Sequence, residues 1–423
     1  MTRKFQDRSV VVLGYDAASA LGADFAKAWA RALNGESGIG PLTRFPLDEA
    51  FPVRIAGQVE DIDGLDYPFL KPRELAKWTS PIFRYAMLTV SRALRKSGIE
   101  ITDAIAPRVA VTYSSALGGI DAVLSADRRL VREKKLPPPF TNPNSCINMV
   151  GGKISILTGA TGPITTTISA CATGVTSMII GAMFLEQGLA DVAICGAVDF
   201  ALVETILAGF ATMNGTFYPQ DNEPDVPSMA SRPFSLNRRG FVVSEGAGAV
   251  IIATRDFART WGLAYPAELA GWAMTSDANH VVAPCLPTVK RCMELALAHA
   301  GIEPGAVSAV NAHATSTRVG DKVEFDALSQ VFQGKIPPVS ANKSQIGHAM
   351  GSSSAIETIF ALQGMTEDRI LPTINFTPDP LMPLDCAAGQ ARTLAQEYVL
   401  KNAFGFGGCN ACLVLRNTGI GDR

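Results

Sequence analysis

Residues 163–187 read PITTTISACATGVTSMIIGAMFLEQ. The β-branched, threonine-rich start, Pro163 to Ala170, predicts a strand, and the apolar stretch from about Ala172 to Gln187 predicts a buried helix. Cys171 stands at the junction, flanked by Ala170, Ala172 and Gly174, small residues that permit a sharp turn and close substrate approach. A thiol at a helix N-terminus faces unpaired N–H groups and the positive end of the helix dipole, which favour thiolate over thiol. Cys171 is therefore a candidate nucleophile; on its own, a cysteine beside alanines is more often a core filler.

The same alternation runs outward. Before this stretch lie a strand over Arg8–Tyr15, helices over Asp24–Leu33 and Pro81–Gly98, and a strand over Arg108–Ser114. After it come a strand over Asp191–Ala197, two strands around a glycine turn in Phe241–Thr254, and a strand region over Leu263–Met274. The remainder reads as a helix over Thr288–Gly301, a strand over Ala306–His313, a helix from Asp321 to Phe332, a strand over Pro338–Ala341, a helix over Ser353–Met365 and a closing strand near Ala411–Leu415. Such β–α alternation predicts an α/β fold with parallel sheet. The polar region Tyr218–Asn237, with four prolines, is the best candidate for a boundary or surface excursion.

Composition narrows the function classes. The 423 residues suit two to three domains or one unit of two halves. Charged residues are 18% and hydrophobic residues 47%, which excludes disorder, collagen and coiled coil. Lys+Arg 37 against Asp+Glu 39 argues against a nucleic-acid binder. Val10–Leu13 is too short an apolar run for a secretory signal. Ile154–Leu185 carries no charge, but its Thr, Ser, Gly and Pro content suits a buried strand and helix better than a membrane span. The eight scattered cysteines suggest reduced thiols and a cytoplasmic location. Cys409-Asn-Ala-Cys412 lacks a second pair and a nearby histidine, so no metal site is expected.

Three further stretches could carry chemistry. His313, in Val310-Asn-Ala-His313-Ala-Thr-Ser-Thr317, ends a buried strand, where α/β proteins place ligand crevices. Lys343 and His348 share the glycine-punctuated loop of Ser340-Ala-Asn-Lys343-Ser-Gln-Ile-Gly-His348. A lysine so near buried strand residues needs a counter-ion, for which Glu324 and Glu357 are candidates. Asn402-Ala-Phe404-Gly-Phe406-Gly-Gly408 can expose backbone N–H groups to an oxyanion, or be a simple hairpin turn. His280 is a candidate pocket residue, and His299 reads as structural.

Together and in this order, Cys171, His313, Lys343/His348 and Gly405-Phe-Gly-Gly408 resemble the β-ketoacyl-[acyl carrier protein] synthases, condensing enzymes of the thiolase superfamily, and most closely the chain-elongating type. Val10-Val-Val-Leu-Gly14, Ser231-Arg-Pro-Phe234, Gly240–Gly248 and Leu371-Pro-Thr-Ile-Asn375 extend the resemblance over nearly the whole chain. It implies a five-layered αβαβα fold of two similar halves, residues 1–255 with the cysteine and 256–423 with the other motifs. It implies no bound cofactor, substrates on the phosphopantetheine arm of acyl carrier protein, and a homodimer, or a heterodimer with a related subunit. No nucleic-acid or membrane partner is expected.

The resemblance implies that Cys171 is acylated, that backbone N–H groups of Cys171 and Phe406 form one oxyanion hole and that His313 and His348 form a second. Lys343 would act by position and charge, supported by Glu324 or Glu357. Phe406 would gate the acyl pocket, Thr315 and Thr317 would bind the pantetheine arm, and Leu117, Phe404 and His280 would line the substrate site. Lys71, Arg73 and Lys77 are a candidate dock for the acidic carrier. Ala314, Arg318, Ser235, Arg239, Asn342 and Ser352 to Ser354 depart from the family pattern and suggest altered acyl or partner specificity. The rival readings are a ketosynthase of a polyketide or other specialised acyl pathway, a degradative thiolase, and a non-catalytic chain-length-factor-like partner, which would lack the cysteine.

Overall fold

The computed structural model describes residues 7–60, 62, 72–218 and 226–421. Nine strands make the main sheet: β1 (Val10–Ala18), β2 (Val109–Val111), β3 (Val192–Phe200), β4 (Glu245–Thr254), β5 (Ala267–Ser276), β6 (Ala309–Asn311), β7 (Val339–Ser340), β8 (Tyr398–Gly405) and β9 (Cys409–Asn417). Their order is β2-β3-β4-β1-β5-β9-β8-β6-β7.

A duplication invisible in the sequence appears in this order. In the second half β5 pairs antiparallel with β9, β9 antiparallel with β8, and β6 lies parallel to both β8 and β7. In the first half β1 pairs antiparallel with β4, β4 antiparallel with β3, and β2 lies parallel to β3. A single parallel bridge, Val111 to Ile164, stands where β7 stands in the other half. The halves join along three residue pairs, Val10–Leu269 to Val12–Ala267.

The helices follow the same repeat. α1 (Pro81–Ser97) and α3 (Leu286–Ala300) cover the outer faces, while α2 (Thr173–Glu186) and α5 (Met350–Thr366) lie between the half-sheets. α4 (Arg318–Val331) packs beside α3. Five layers, αβαβα, result. The stops expected at Gly98 and Gly301 are there, with φ of 70° and 67°. The five inward residues of α3, Val289, Cys292, Met293, Ala296 and Leu297, are all buried. α2 and α5 are buried on nearly every side, which accounts for the uncharged stretch in the sequence. No helix among the described residues is long and apolar enough to cross a membrane.

Several expectations need correction. The sheet is mixed, not parallel: strands buried on both faces read as parallel whichever way they run, and that is how β3 and β4 are buried. Phe241–Thr254 holds one strand, β4, because its glycines admit α5 rather than make a turn; a Cβ on Gly248 would lie 3.0 Å from Ala355. Pro163–Ala170 is not a strand; it pairs with the sheet through a single bridge, at Ile164. The Gly-Phe-Gly-Gly loop joins two long strands, and β8 escaped notice because Lys401 and Asn402 interrupt its apolar pattern. Helices over Ile120–Arg132, Asn148–Thr158 and Glu204–Thr212 were also not anticipated.

α2 and α5 cross where Gly174 meets Ala355: a Cβ on Gly174 would sit 2.5 Å from the Ala355 nitrogen. Gly174→Ala should therefore cost about 1–3 kcal/mol in urea unfolding. Gly152→Ala, in a helix where nothing lies within 4 Å, should be neutral or stabilising.

Candidate active site

Each of the two middle-layer helices begins at the floor of one cavity of about 710 Å³. Cys171 lies in a single 3-10 turn leading into α2 and is 8% exposed. His348 lies just before α5, and its Nε2 is 3.1 Å from the Cys171 Sγ. The His313 ring stands edge-on to the His348 ring, centroids 5.9 Å apart. The backbone N–H groups of Phe406 and of Cys171 itself act on the Cys171 sulfur in the sense that favours its charged form. They can do so because Gly405 brings β8 against the Cys171 turn, where a Cβ would meet the Ser169 carbonyl oxygen at 2.3 Å.

Water exclusion sets the protonation states. Burial, with Lys343 nearby, holds both His313 and His348 well below the usual imidazole range, so both rings are neutral near pH 7. Burial pushes the Cys171 thiol up to about 11, outweighing the pull of Lys343 and of the Phe406 N–H. This corrects the expectation of a low-pKa thiolate: the helix end is present, but the sulfur is too dry for it to prevail.

The supporting charges are divided differently from the sequence reading. Lys343 Nζ bonds Glu357 Oε1 and the His313 carbonyl oxygen, both at 2.5 Å. Glu324 does not hold Lys343. It accepts the backbone N–H groups of His313 (2.9 Å) and Ala314 (2.7 Å) and the Asn402 amide (3.0 Å), fixing the turn that carries His313. The second oxygen of Glu357 takes Lys401, 2.6 Å away and fully buried, a residue the sequence reading missed. A lysine inside the apolar run Tyr398–Phe404 was the available signal.

The other candidates are distributed around the cavity. Leu117, Phe404, Thr315, Thr317, His280 and Phe406 all line it. The Phe404 ring lies 5.6 Å from that of His313, and the Thr315 and Thr317 hydroxyls lie 3.0 Å apart. His280 is exposed, its Nδ1 accepting the N–H groups of Val282 and Ala283. Leu117 is held by Asp199, a second missed residue, which also accepts the Ser115 hydroxyl and the Ser352 N–H. Burial pushes the Asp199 carboxyl up to about 6. His299 sits away from the cavity against Trp272. Cys409 and Cys412 are three apart on one strand and so face opposite ways.

Of the residues read from the sequence as departures, Arg239 and Arg318 line the cavity. Ser235 and Asn342 instead bond scaffold groups, Asn237 and Asn311 among them. Of the candidate carrier dock, Lys77 pairs with Glu74 at 3.1 Å, Arg73 is exposed, and Lys71 lies outside the described residues.

The chain that carries this site also matches known proteins in sequence. The β-ketoacyl synthase N-terminal domain model matches residues 7–258, and the C-terminal domain model matches residues 266–377. The chain belongs to the β-ketoacyl synthase family. The 3-oxoacyl-[acyl-carrier-protein] synthase 2 of Staphylococcus aureus (strain N315) is 34% identical over 418 residues, covering 97% of this chain and 99% of that protein. A β-ketoacyl synthase structure from Burkholderia phymatum STM815 superposes with a TM-score of 0.89 at 29% identity, covering 97% and 99% of the two chains. A type II polyketide ketosynthase, solved with its acyl-carrier protein and bound to the hexaketide, superposes with a TM-score of 0.88 at 25% identity, covering 98% and 100%.

Two outcomes follow from this geometry. Replacing Glu357 by Gln strands two buried ammonium groups and should cost about 3–5 kcal/mol in denaturant melts; Lys401→Met, which leaves the Lys343–Glu357 pair, should cost less. The rate of Cys171 alkylation by iodoacetamide should climb about tenfold per pH unit from pH 7 to 9, as expected for a thiol titrating well above that range. A plateau below pH 8 would contradict the buried-thiol assignment.

Proposed function

We propose that this chain is a β-ketoacyl-[acyl carrier protein] synthase of fatty-acid elongation. It joins an acyl group held on Cys171 to malonyl-acyl carrier protein with loss of CO₂, giving 3-oxoacyl-acyl carrier protein. The observation that carries the reading is the Cys171 sulfur 3.1 Å from one imidazole, with a second beside it, on the floor of a cavity with apolar walls.

The residues divide a two-stage reaction. The Cys171 sulfur attacks the carbonyl carbon of an acyl-carrier thioester, and the N–H groups of Cys171 and Phe406 hold the oxygen as it becomes negative. The carrier's thiol leaves with a proton, and the acyl group remains on Cys171, its chain against Leu117 and Phe404. Malonyl-carrier then enters, its pantetheine arm along Thr315 and Thr317 past the rim at His280. As CO₂ departs, the enolate oxygen is held by N–H donors of the neutral His313 and His348. The new carbanion attacks the acyl carbonyl, the carbon–sulfur bond breaks, and the Cys171 sulfur leaves as a thiolate that takes a proton from water to return to the resting thiol. Lys343, fixed by Glu357, biases the site electrostatically; Glu324 aims His313; Phe406 gates the acyl pocket.

Residues 1–255 then supply the acylated cysteine and 256–423 the two imidazoles. The substrates bring their own pantetheine arm, and the residues need no further cofactor. Acyl carrier protein is the partner, and a homodimer is the assembly, with a heterodimer beside a related subunit as the other arrangement. A ketosynthase of a polyketide or other specialised acyl pathway is the second reading, favoured by Arg239 and Arg318 on the cavity wall.

Cys171→Ala should abolish condensation and labelling by cerulenin; normal elongation by that variant would overturn the proposal. His313→Ala should keep self-acylation while malonyl decarboxylation falls about 10²–10³-fold, the usual cost of one lost oxyanion donor. Equal loss of both steps would contradict the role given to His313.

A further inference from the structure

Ser353 lies in the first turns of α5, with no exposed surface, five residues after His348. Among the described residues its hydroxyl oxygen meets two groups: the Ala349 N–H at 2.7 Å and the His348 Nδ1 at 3.0 Å. The Ala349 N–H can only donate, so the oxygen accepts there. A hydroxyl has one hydrogen, and leaving it unpaired in a dry interior is costly. The remaining neighbour, Nδ1, is its acceptor. A neutral imidazole that accepts at Nδ1 carries its own hydrogen on Nε2. That nitrogen is the one 3.1 Å from the Cys171 sulfur.

We infer that Ser353 is a positioning residue that fixes His348 as the Nε2–H tautomer. Resting on the condensing-enzyme reading, the inference makes His348 a hydrogen-bond donor throughout: it points a hydrogen at the sulfur and later at the enolate oxygen, and does not take the thiol's proton. The opposite tautomer would place Nδ1–H against the serine oxygen, which would then accept two hydrogens while its own found no partner among the described residues. It would also turn a lone pair toward the place where negative oxygen develops.

The neighbouring serines have separate tasks, so the effect is specific to Ser353. Ser352 donates to the Ala349 carbonyl at 2.6 Å. Ser354 accepts the N–H groups of Gly174 and Val175, at 3.1 and 3.3 Å, supplying from α5 a cap that α2's own N-cap residue, Ala172, cannot. The run of three serines that departs from the family pattern therefore does not reach the acyl cavity. It sets donors and acceptors beneath the reacting atoms.

The chain has four histidines, so nitrogen NMR of ¹⁵N-histidine-labelled protein resolves them one by one. The His348 signals are assigned by their loss in His348→Asn. In the resting wild-type protein at neutral pH, Nδ1 should give a pyridine-type signal and Nε2 a pyrrole-type signal. Ser353→Ala should move the two signals toward one another as the second tautomer becomes populated, and Ser353→Thr, which keeps the hydroxyl, should restore the wild-type pattern. In Ser353→Ala, malonyl decarboxylation should slow roughly threefold to tenfold, the weight of one hydrogen bond, with the KM for malonyl-carrier unchanged. A wild-type spectrum with the hydrogen on Nδ1, or an unchanged tautomer in Ser353→Ala, would overturn the inference. The spectrum is read without substrate, so it can fail while Cys171→Ala still abolishes condensation, and it can succeed if condensation is not the reaction.

Discussion

The structure depends on one close crossing, where α2 and α5 meet between the half-sheets with no room for a side chain at Gly174. Each helix starts at the same cavity floor, and each follows the third strand segment of its half. Because the chain is duplicated, the two starts face one another. Cys171 and His348 come within hydrogen-bond distance although 177 residues separate them. Ser354 ties the starts together by capping one helix from the other.

Placing a reaction in the middle layer of five makes it dry, and dryness decides the protons. The imidazoles stay neutral and the thiol stays protonated at rest, for the same reason: charge is unwelcome there. Negative charge that develops during reaction must meet donors already in place, since solvent cannot reorganise to help. The charged side chains beside the site, on α5 and the elements packed against it, are paired with one another. Lys343 and Lys401 share Glu357, and Glu324 is occupied by backbone and amide N–H groups. Each buried ion is bonded, as low dielectric demands.

Much of this was legible from residues. The helix that follows Cys171 and the helix ends at Gly98 and Gly301 are local patterns, and local periodicity reports them. The four motifs carried the family resemblance because their order along the chain is specific. What could not be read was pairing. Strand direction is lost when both faces are buried, as in β3 and β4. The duplication exists in topology alone. Glu324 and Glu357 look interchangeable in sequence, yet one faces backbone N–H groups and the other two lysines. Lys401 disguised a core strand as a loop, and Ser353 was visible only as a departure, since its meaning depends on the nitrogen it faces.

The most direct measurement of the central claim is intact-protein and peptide mass spectrometry through one catalytic cycle. After incubation with an acyl-carrier substrate, the protein should gain one acyl group, confined to the peptide bearing Cys171. Addition of malonyl-carrier should discharge it and produce a 3-oxoacyl-carrier two carbons longer. An acyl group found on another residue, or one that remains on Cys171 after malonyl-carrier is added, would contradict the claim that this sulfur carries the growing chain.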